Sequence, residues 1–293
     1  MSSFEQERTS RAQIARDTVA IVERGHYLCG DLRVEIGAAV DAAVRGSEAF
    51  APSTLAALHA DVAPRWAGEP ARARVEITGE TTLGAARRLV ADGGRVLCLN
   101  FASAKNPGGG FLSGARAQEE SLCRGSALYA TLVAQVAYYD ANRACRDLLY
   151  TDWAIYSPRV PVLRDDDEQL LAEPVLASFV TMPAPNRGAM RERDEAAIAA
   201  TLRRRIGSIF AIAADRGYRR LVLGAWGCGA FRNDPAAVAA AFREVVDSSA
   251  WRSAFDTLVF AIFEAARDQG NRAAFETAFG ARSSVTTGAV RIS

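Results

Sequence analysis

Two short apolar segments, each followed at once by a glycine-rich loop, constrain the fold of this 293-residue chain most strongly. Residues 95–101 (RVLCLNF) and 220–224 (RLVLG) are almost continuous apolar runs. Such runs are typical of strands that are buried on both faces, as in parallel sheets covered by helices. Ligands bind to these sheets beyond the carboxyl ends of the strands. We therefore predict that loop one (residues 102–117) and loop two (residues 225–232) lie on the same edge of a sheet.

The rest of the chain alternates between strand-like and helix-like patterns, which predicts an α/β fold, a three-layer α/β/α sandwich with a mixed sheet. Strands are predicted at 74–78, 95–101, 153–160, 175–182, 220–224 and 256–263, and helices at 4–24, 82–91, 118–137, 191–216, 235–248 and 271–279. Asp234 and Pro235 are expected to cap and open the helix at 235–248. The acidic stretch 164–168 (RDDDE) is expected to be a solvated loop.

This pattern divides the chain into three regions. Residues 1–70, which begin with a helical extension, are predicted to be an accessory region packed on the core. Residues 71–280 are predicted to form the catalytic core. Residues 281–293 are rich in Ser, Thr and Gly and are expected to be a flexible tail.

Composition argues against several classes of protein. Lys and Arg total 35 against 34 for Asp and Glu, so no strong field attracts nucleic acid, and sequence-specific nucleic-acid binding is not expected. There are two histidines and no C-x-x-C pair, which argues against a metal site. Five scattered cysteines fit a reduced protein, and no apolar run reaches the roughly 18 residues of a membrane span. The polar N-terminus does not resemble a signal peptide, so we predict a cytoplasmic protein without membrane contact.

Loop one carries three consecutive glycines, Gly108, Gly109 and Gly110, and is followed by Gln118-Glu119-Glu120 at a predicted helix start. The glycines let backbone N–H groups approach an anionic ligand closely. Neither a P-loop nor a G-x-G-x-x-G fingerprint is present. Taken alone, the glycines could be a flexible turn, and the two glutamates could be ordinary first-turn acids.

Loop two, Ala225 to Arg232, offers a second set of backbone amides. Its candidate ligand-binding residues are Gly227, Cys228, Gly229, Ala230 and Phe231, with the Phe231 ring able to stack on a sugar or base. Taken alone, the segment could equally be a tight turn with Phe231 in the core. No histidine neighbours Cys228, so it is not expected to be a nucleophile.

The triple glycine that leads into Gln118-Glu119-Glu120, together with Asn100-Phe101-Ala102 before it, resembles the signature of the poly(ADP-ribose) glycohydrolases, and most closely their bacterial type. The resemblance covers about residues 25 to 280 and implies a macrodomain-like core. It implies that Asn100, Gly108–Gly110, Gln118 and the loop-two residues 227–231 bind the substrate. Residues 77–82 are a weaker candidate for the adenine-side wall.

The resemblance also implies an activity, cleavage of the ribose–ribose O-glycosidic bonds of poly(ADP-ribose) to release ADP-ribose, mainly from chain ends. Breaking such a bond requires protonation of the leaving oxygen and stabilisation of an oxocarbenium-like centre. Adjacent glutamates point about 100° apart on a helix, so one of them is expected to act as both acid and base. By resemblance that residue is Glu120, with Glu119 on the ribose hydroxyls and Gln118 fixing the loop. No cofactor is needed, and the expected partners are poly(ADP-ribose) and ADP-ribosylated proteins.

Two alternatives stay open. A macrodomain that binds ADP-ribose without cleaving it would not need Gln118-Glu119-Glu120. A mono-ADP-ribosyl hydrolase on the same fold would release the protein-attached unit and would not shorten polymer.

Overall fold

The computed structural model describes residues 3–67, 73–251, 253–264 and 270–280. The predicted tail, 281–293, therefore lies outside the described residues. Two sheets are present in the described part of the chain, a hairpin of two strands and a sheet of seven. The strands are β1 His26–Cys29, β2 Leu32–Glu35, β3 Glu48–Phe50, β4 Arg74–Thr78, β5 Val96–Phe101, β6 Ala154–Arg164, β7 Leu170–Met182, β8 Arg220–Leu223 and β9 Thr257–Ala261.

The large sheet is mixed, with the order β3-β6-β7-β5-β8-β9-β4. Strands β7, β5, β8, β9 and β4 pair in parallel, whereas β6 is antiparallel to both β3 and β7. The carboxyl ends of the five parallel strands consequently meet at one edge. This confirms the predicted mixed sheet.

Helices cover both faces of this sheet. They are α1 Ser3–Arg24, α2 Gly37–Arg45, α3 Pro52–Trp66, α4 Thr82–Ala91, α5 Gln118–Gly125, α6 Leu128–Val133, α7 Val136–Ala144, α8 Glu195–Asp215, α9 Pro235–Asp247 and α10 Asn271–Phe279. The core residues of α3, α8, α9 and α10 share one hydrophobic cluster, and those of α1, α2 and α4–α7 share the other. The three-layer sandwich is therefore confirmed.

Alternating side chains of the central strands belong to the two hydrophobic clusters. In β5, Leu97 and Leu99 belong to the first cluster, while Val96 and Cys98 belong to the second. Successive side chains of a strand point to opposite faces, so a strand between two helical layers must be apolar throughout. This is the physical origin of the apolar run at 95–101.

Residues 118–137 do not form the single helix that their sequence predicts. The helix stops after Gly125, and Ser126 has an extended backbone with φ −151° and ψ 173°. Ser126 forms a β-bridge with Val162, and the Ala127 amide donates to the Pro161 carbonyl at 2.9 Å. Pairing with β6 pulls the chain out of helical geometry, and α6 and α7 follow as separate helices.

The acidic stretch 164–168 is the turn of the β6–β7 hairpin, and the prediction of a solvated loop is wrong for part of it. The Arg164 side chain is buried, and its guanidinium donates to the Glu168 carbonyl at 2.9 Å. Glu168 also forms an ion pair with Arg124 of α5. The turn is therefore anchored to the helix that carries Glu119 and Glu120.

Elements within residues 3–67 take part in the sandwich. Strand β3 is an edge strand of the large sheet, and α3 packs on α8. The long helix predicted at 191–216 begins instead at Glu195, where the side chain of Asp194 accepts from the Ala197 amide at 2.9 Å. The boundary near residue 70 stays a prediction.

Candidate active site

Loops one and two leave the sheet from adjacent strands. Strands β5 and β8 pair in parallel, with Val96 opposite Arg220. A Cβ atom at Gly224, just before loop two, would lie 2.9 Å from the ring of Phe101, just before loop one. The prediction that both loops share an edge of the sheet is confirmed.

Glu119 is almost completely buried beneath loop one. Its Oε1 accepts from the Asn100 side-chain amide at 3.1 Å, and its Oε2 accepts from the Ser103 backbone amide at 2.7 Å. Both carboxyl oxygens therefore bind protein donors, which fixes the side chain at the end of β5.

Burial raises the pKa of the Glu119 carboxyl to about 8. The hydrogen bonds from Ser103 and Asn100 act in the opposite direction, and the neighbouring charge of Glu120 raises the pKa further. Desolvation prevails because a buried carboxylate loses its hydration, and hydrogen bonds from Ser103, Asn100 and Gly108 offset this loss only in part. At pH 7 the Glu119 carboxyl is therefore mostly protonated.

Glu120 is 9 % exposed and lies against the glycines of loop one. Its Oε1 accepts from the Gly110 amide at 3.0 Å. Within the described part of the chain, its Oε2 accepts no hydrogen bond. Glu120 is thus held by one oxygen while the other is left without a protein donor.

The three glycines permit this close approach. Gly108 and Gly109 have positive φ angles of 67° and 59°. A Cβ atom at Gly109 would lie 2.4 Å from Glu120 Oε1, so a side chain there would displace the Glu120 carboxyl. The Gly109 amide donates to the Asn106 carbonyl and the Gly110 amide to Glu120. These two amides therefore shape the loop and hold a carboxylate.

Gln118 and Asn100 link the loop to the sheet. Gln118 accepts from the Phe101 amide at 2.9 Å and donates to the Leu99 carbonyl at 2.8 Å, so it replaces a strand partner at the end of β5. The Asn100 amide donates to Glu119 and to Thr181 on β7. Asn100 is fully buried, so these contacts position Glu119, and a direct contact with substrate stays a prediction.

Loop two presents amides that the loop itself does not use. Gly229 and Ala230 are exposed, and among the described residues no acceptor binds the amides of residues 229, 230 and 231. Consecutive free amides in a turn form a concave site for an anion. The arrangement therefore fits a diphosphate better in loop two than at Gly109 and Gly110 of loop one.

The side chains of loop two differ in their accessibility. Trp226 is fully buried and donates to the Met182 carbonyl at 3.2 Å, which makes it a core residue. Burial raises the pKa of the Cys228 thiol to about 12, so it stays protonated and is a poor nucleophile. Phe231 is half-buried, and its ring centroid lies 5.9 Å from that of Tyr150. These two rings form an aromatic wall beside the free amides.

Sequence reasoning missed several residues that build this site. Asn233 is buried, and its side-chain amide donates to the carbonyls of Pro185 at 2.8 Å and Gly227 at 3.1 Å, which locks loop two. Tyr150 has a positive φ of 60° and lies far from both loops in sequence. Asn233 stands directly before the recognised helix start Asp234-Pro235, which was the available signal. Nothing in the local sequence identifies Tyr150.

Residues 77–82 run from the end of β4 to the start of α4. Thr81 caps this helix by accepting from the Gly84 amide at 2.9 Å, and Thr82 accepts from Gln118 at 3.1 Å. The segment therefore adjoins loop one through Gln118. Its role as an adenine-side wall stays a prediction.

Two further findings apply to the described residues only. They contain no group of three His, Cys, Asp or Glu side chains placed to hold a metal ion. None of their helices combines the length and the apolar character that a membrane crossing demands.

Comparisons with known proteins place this geometry in a family context. The family model "Microbial-type PARG, catalytic domain", where PARG is poly(ADP-ribose) glycohydrolase, matches residues 15–165. No curated protein matches the chain.

Solved structures are similar over most of the chain. The poly(ADP-ribose) glycohydrolase of Thermomonospora curvata is 47% identical, with a TM-score of 0.89, over 92% of this chain and 100% of that one. The same enzyme bound to the inhibitor ADP-HPD is 47% identical, with a TM-score of 0.86, over 92% and 99%. The Deinococcus radiodurans glycohydrolase in complex with ADP-ribose is 44% identical, with a TM-score of 0.77, over 83% and 97%.

Proposed function

Because the chain belongs to the microbial-type poly(ADP-ribose) glycohydrolases and is a glycosidase that hydrolyses poly(ADP-ribose), we propose that Glu120 is its general acid and base. One observation carries the proposal. Of the two adjacent carboxyl groups, Glu119 has both oxygens on protein donors, whereas Glu120 keeps Oε2 without one. A group that exchanges a proton with substrate needs such an oxygen.

In the proposed reaction, protonated Glu120 donates its proton to the ribose oxygen that leaves as the glycosidic C–O bond between the two riboses breaks. The resulting carboxylate then accepts a proton from the water that attacks the oxocarbenium-like carbon, which regenerates the acid. The raised pKa of the Glu119 carboxyl limits the negative charge beside Glu120 once Glu120 has given up its proton. The proposed role of Glu119 is to orient the ribose hydroxyls of the substrate.

Substrate binding is assigned to the free amides of loop two and the neighbouring aromatic wall. The amides of residues 229–231 would hold the diphosphate, and Phe231 would pack on the adjacent ribose. The complexes of similar enzymes with ADP-ribose and ADP-HPD support an ADP-ribose-type ligand here. The contribution of Gly108–Gly110 is then to place Glu120 against that ligand.

Further parts of the proposal concern the cellular substrate. We propose that the enzyme releases ADP-ribose mainly from chain ends of modified proteins. All five cysteines are free thiols, which supports action in a reducing compartment such as the cytoplasm.

The test is the Glu120→Gln variant, which keeps the side-chain shape and removes the transferable proton. We expect it to lose about 10² to 10⁴ in kcat for release of ADP-ribose from automodified polymer. Calorimetry should show ADP-ribose affinity close to that of the wild type, because the ligand is held elsewhere. A variant that retains full activity would exclude Glu120 as the acid.

The same assay separates the alternative functions. A non-catalytic reader would bind ADP-ribose while neither wild type nor variant shortened polymer. A mono-ADP-ribosyl hydrolase would release only the protein-attached unit, and chain length would not change.

A further inference from the structure

Three consecutive carbonyls of loop one are each bound by an arginine. Arg8 Nε donates to the Ser113 carbonyl at 2.9 Å and Arg11 Nε to the Gly114 carbonyl at 2.9 Å. Arg124 Nη1 donates to the Ala115 carbonyl at 2.7 Å. We call these three side chains the arginine clamp. Two of them come from α1, more than 100 residues away in sequence.

Helix α1 packs closely against loop one. Its buried side includes Ala15, Thr18 and Ile21, and the Thr18 hydroxyl donates to the Arg124 carbonyl at 2.8 Å. A Cβ atom at Gly114 would lie 2.1 Å from the Arg8 carbonyl oxygen, so the two backbones touch. Gly114 is thus required both for this contact and for its positive φ of 78°.

The clamped carbonyls connect to Glu120 in two steps. The amides of Ser113 and Ala115 donate to the Gly110 carbonyl at 3.0 and 3.2 Å. The amide of Gly110 in turn donates to Glu120 Oε1 at 3.0 Å. A shift of residues 113–115 would therefore move the Gly110 amide, the one donor to the Glu120 carboxyl among the described residues.

We propose that α1 is a working part of the active site, with Arg8 and Arg11 as positioning residues that orient Glu120 through this turn. The inference rests on the proposed role of Glu120. Arginine suits the task because its planar guanidinium always carries a charge and holds a carbonyl in a fixed direction. The side chain of Arg11 is only 14 % exposed, so its hydrogen bond is partly shielded from water.

The experiment compares the wild type with Arg8→Ala, the double variant Arg8→Ala/Arg11→Ala, and Arg16→Ala. Arg16 is the matched control, since it is exposed on the same helix and, within the described part of the chain, hydrogen-bonds to Gln13 alone. A small misplacement of a catalytic group can cost about 100-fold in rate, so we expect the double variant to lose about 10- to 100-fold in kcat. The KM for polymer and the Kd for ADP-ribose should change less than about threefold, because loop two is untouched. Arg16→Ala should match the wild type.

Replacement of Arg8 and Arg11 by lysine tests the chemistry of the contact. Lysine can still donate to one carbonyl, so this variant should recover most of the lost kcat. Arg8 is exposed, so the single Arg8→Ala variant is expected to fold and to show a smaller loss of kcat in the same direction.

Two outcomes would overturn the inference. One is an unchanged kcat in both Arg8→Ala and Arg8→Ala/Arg11→Ala. The other is a loss of ADP-ribose affinity as large as the loss of kcat, which would indicate general disordering of the site. Glu120→Gln, measured in parallel, separates the two proposals. If that variant is inactive and the clamp variants are fully active, the role of Glu120 stands and the clamp inference fails.

Discussion

Glu119 and Glu120 are chain neighbours with opposite surroundings. Glu119 points into the end of the sheet, where Asn100 and Ser103 bind it, and Glu120 points to the glycines of loop one. Adjacent positions at a helix start diverge by about 100°, and this divergence assigns one carboxyl to the interior and one to the site. Sequence reasoning identified both residues, but their burial depends on the shape of loop one.

The pKa of Glu119 makes a prediction about stability. Its ordinary value is 4.5 and its value in the folded protein is about 8, so the folded state holds the proton more tightly than the unfolded chain. The stabilisation is complete below pH 4.5 and is lost as the pH rises towards 8, by about 1.4 kcal/mol per pH unit at most. Glu119→Gln cannot titrate, so its unfolding free energy should gain on that of the wild type between pH 5 and 8.

Urea unfolding at several pH values measures this difference directly. The quantity to compare is the change of unfolding free energy with pH. The absolute stability of Glu119→Gln also differs, because an amide at position 119 changes the contacts with Asn100 and Ser103. Parallel pH curves for the two proteins would show that Glu119 is ionised in the folded state.

At the scale of elements, loops one and two work differently although both are glycine-rich turns after buried strands. In loop one, the amides of Gly109 and Gly110 bind Asn106 and Glu120. Loop two leaves the amides of residues 229–231 without an acceptor among the described residues, and it is held from behind by Asn233. Loop one holds the proposed acid Glu120, and loop two is suited to binding an anion.

Asn233 and its neighbour Asp234 provide a matched pair for testing this division. Asn233→Ala removes the contacts with Pro185 and Gly227, so we expect ADP-ribose affinity to fall about tenfold or more as the loop loses its preorganised shape. Asp234→Ala removes only the cap of α9 and should cost about 1 kcal/mol of stability.

Calorimetric titration with ADP-ribose and thermal unfolding of both variants supply the measurements. Asp234→Ala should bind ADP-ribose as the wild type does. Equal affinities for the two variants would show that loop two keeps its shape without Asn233.

At the scale of the whole molecule, buried polar contacts join segments that are distant in sequence. Arg205 of α8 is fully buried and binds Asp152 at 2.7 Å, the Pro183 carbonyl at 2.9 Å and the Leu149 carbonyl at 2.7 Å. It thereby ties the segment that carries Tyr150 to the end of β7. The adjacent Arg204 binds the same Asp152 from the surface.

These two arginines predict very different costs of truncation. Arg205→Ala leaves the buried carbonyl contacts at Leu149, Tyr150 and Pro183 without their donor and leaves Asp152 paired with Arg204 alone, so it should destabilise the fold by about 3–5 kcal/mol. Arg204→Ala removes an ion pair in which the arginine side chain is 54 % exposed, so a loss of about 1 kcal/mol or less is expected. Chemical denaturation of both variants tests the contrast, and similar losses would contradict it.

The sequence by itself determined the fold class, and it indicated residues 118–120 as the proposed catalytic segment. Strand β4 and helix α4 have the predicted bounds, because period-two and helical patterns reflect which faces are buried. Gln118-Glu119-Glu120 was identified because, after the triple glycine, it resembles the contiguous signature of the glycohydrolases. These features are local, so one stretch of residues contains the whole signal.

Only the tertiary structure decided how those residues are held and how deeply each of them is buried. The break at Ser126 follows from pairing with β6, and the clamp requires Arg8 and Arg11 to reach Ser113 and Gly114. The bridge at Ser126 joins residues more than 30 positions apart, and the clamp contacts of Arg8 and Arg11 join residues more than 100 positions apart. Hydrogen bonds to backbone carbonyls also impose no residue type at the acceptor position. A local pattern therefore carries no trace of them, and they emerge only when the layers of the sandwich are packed together.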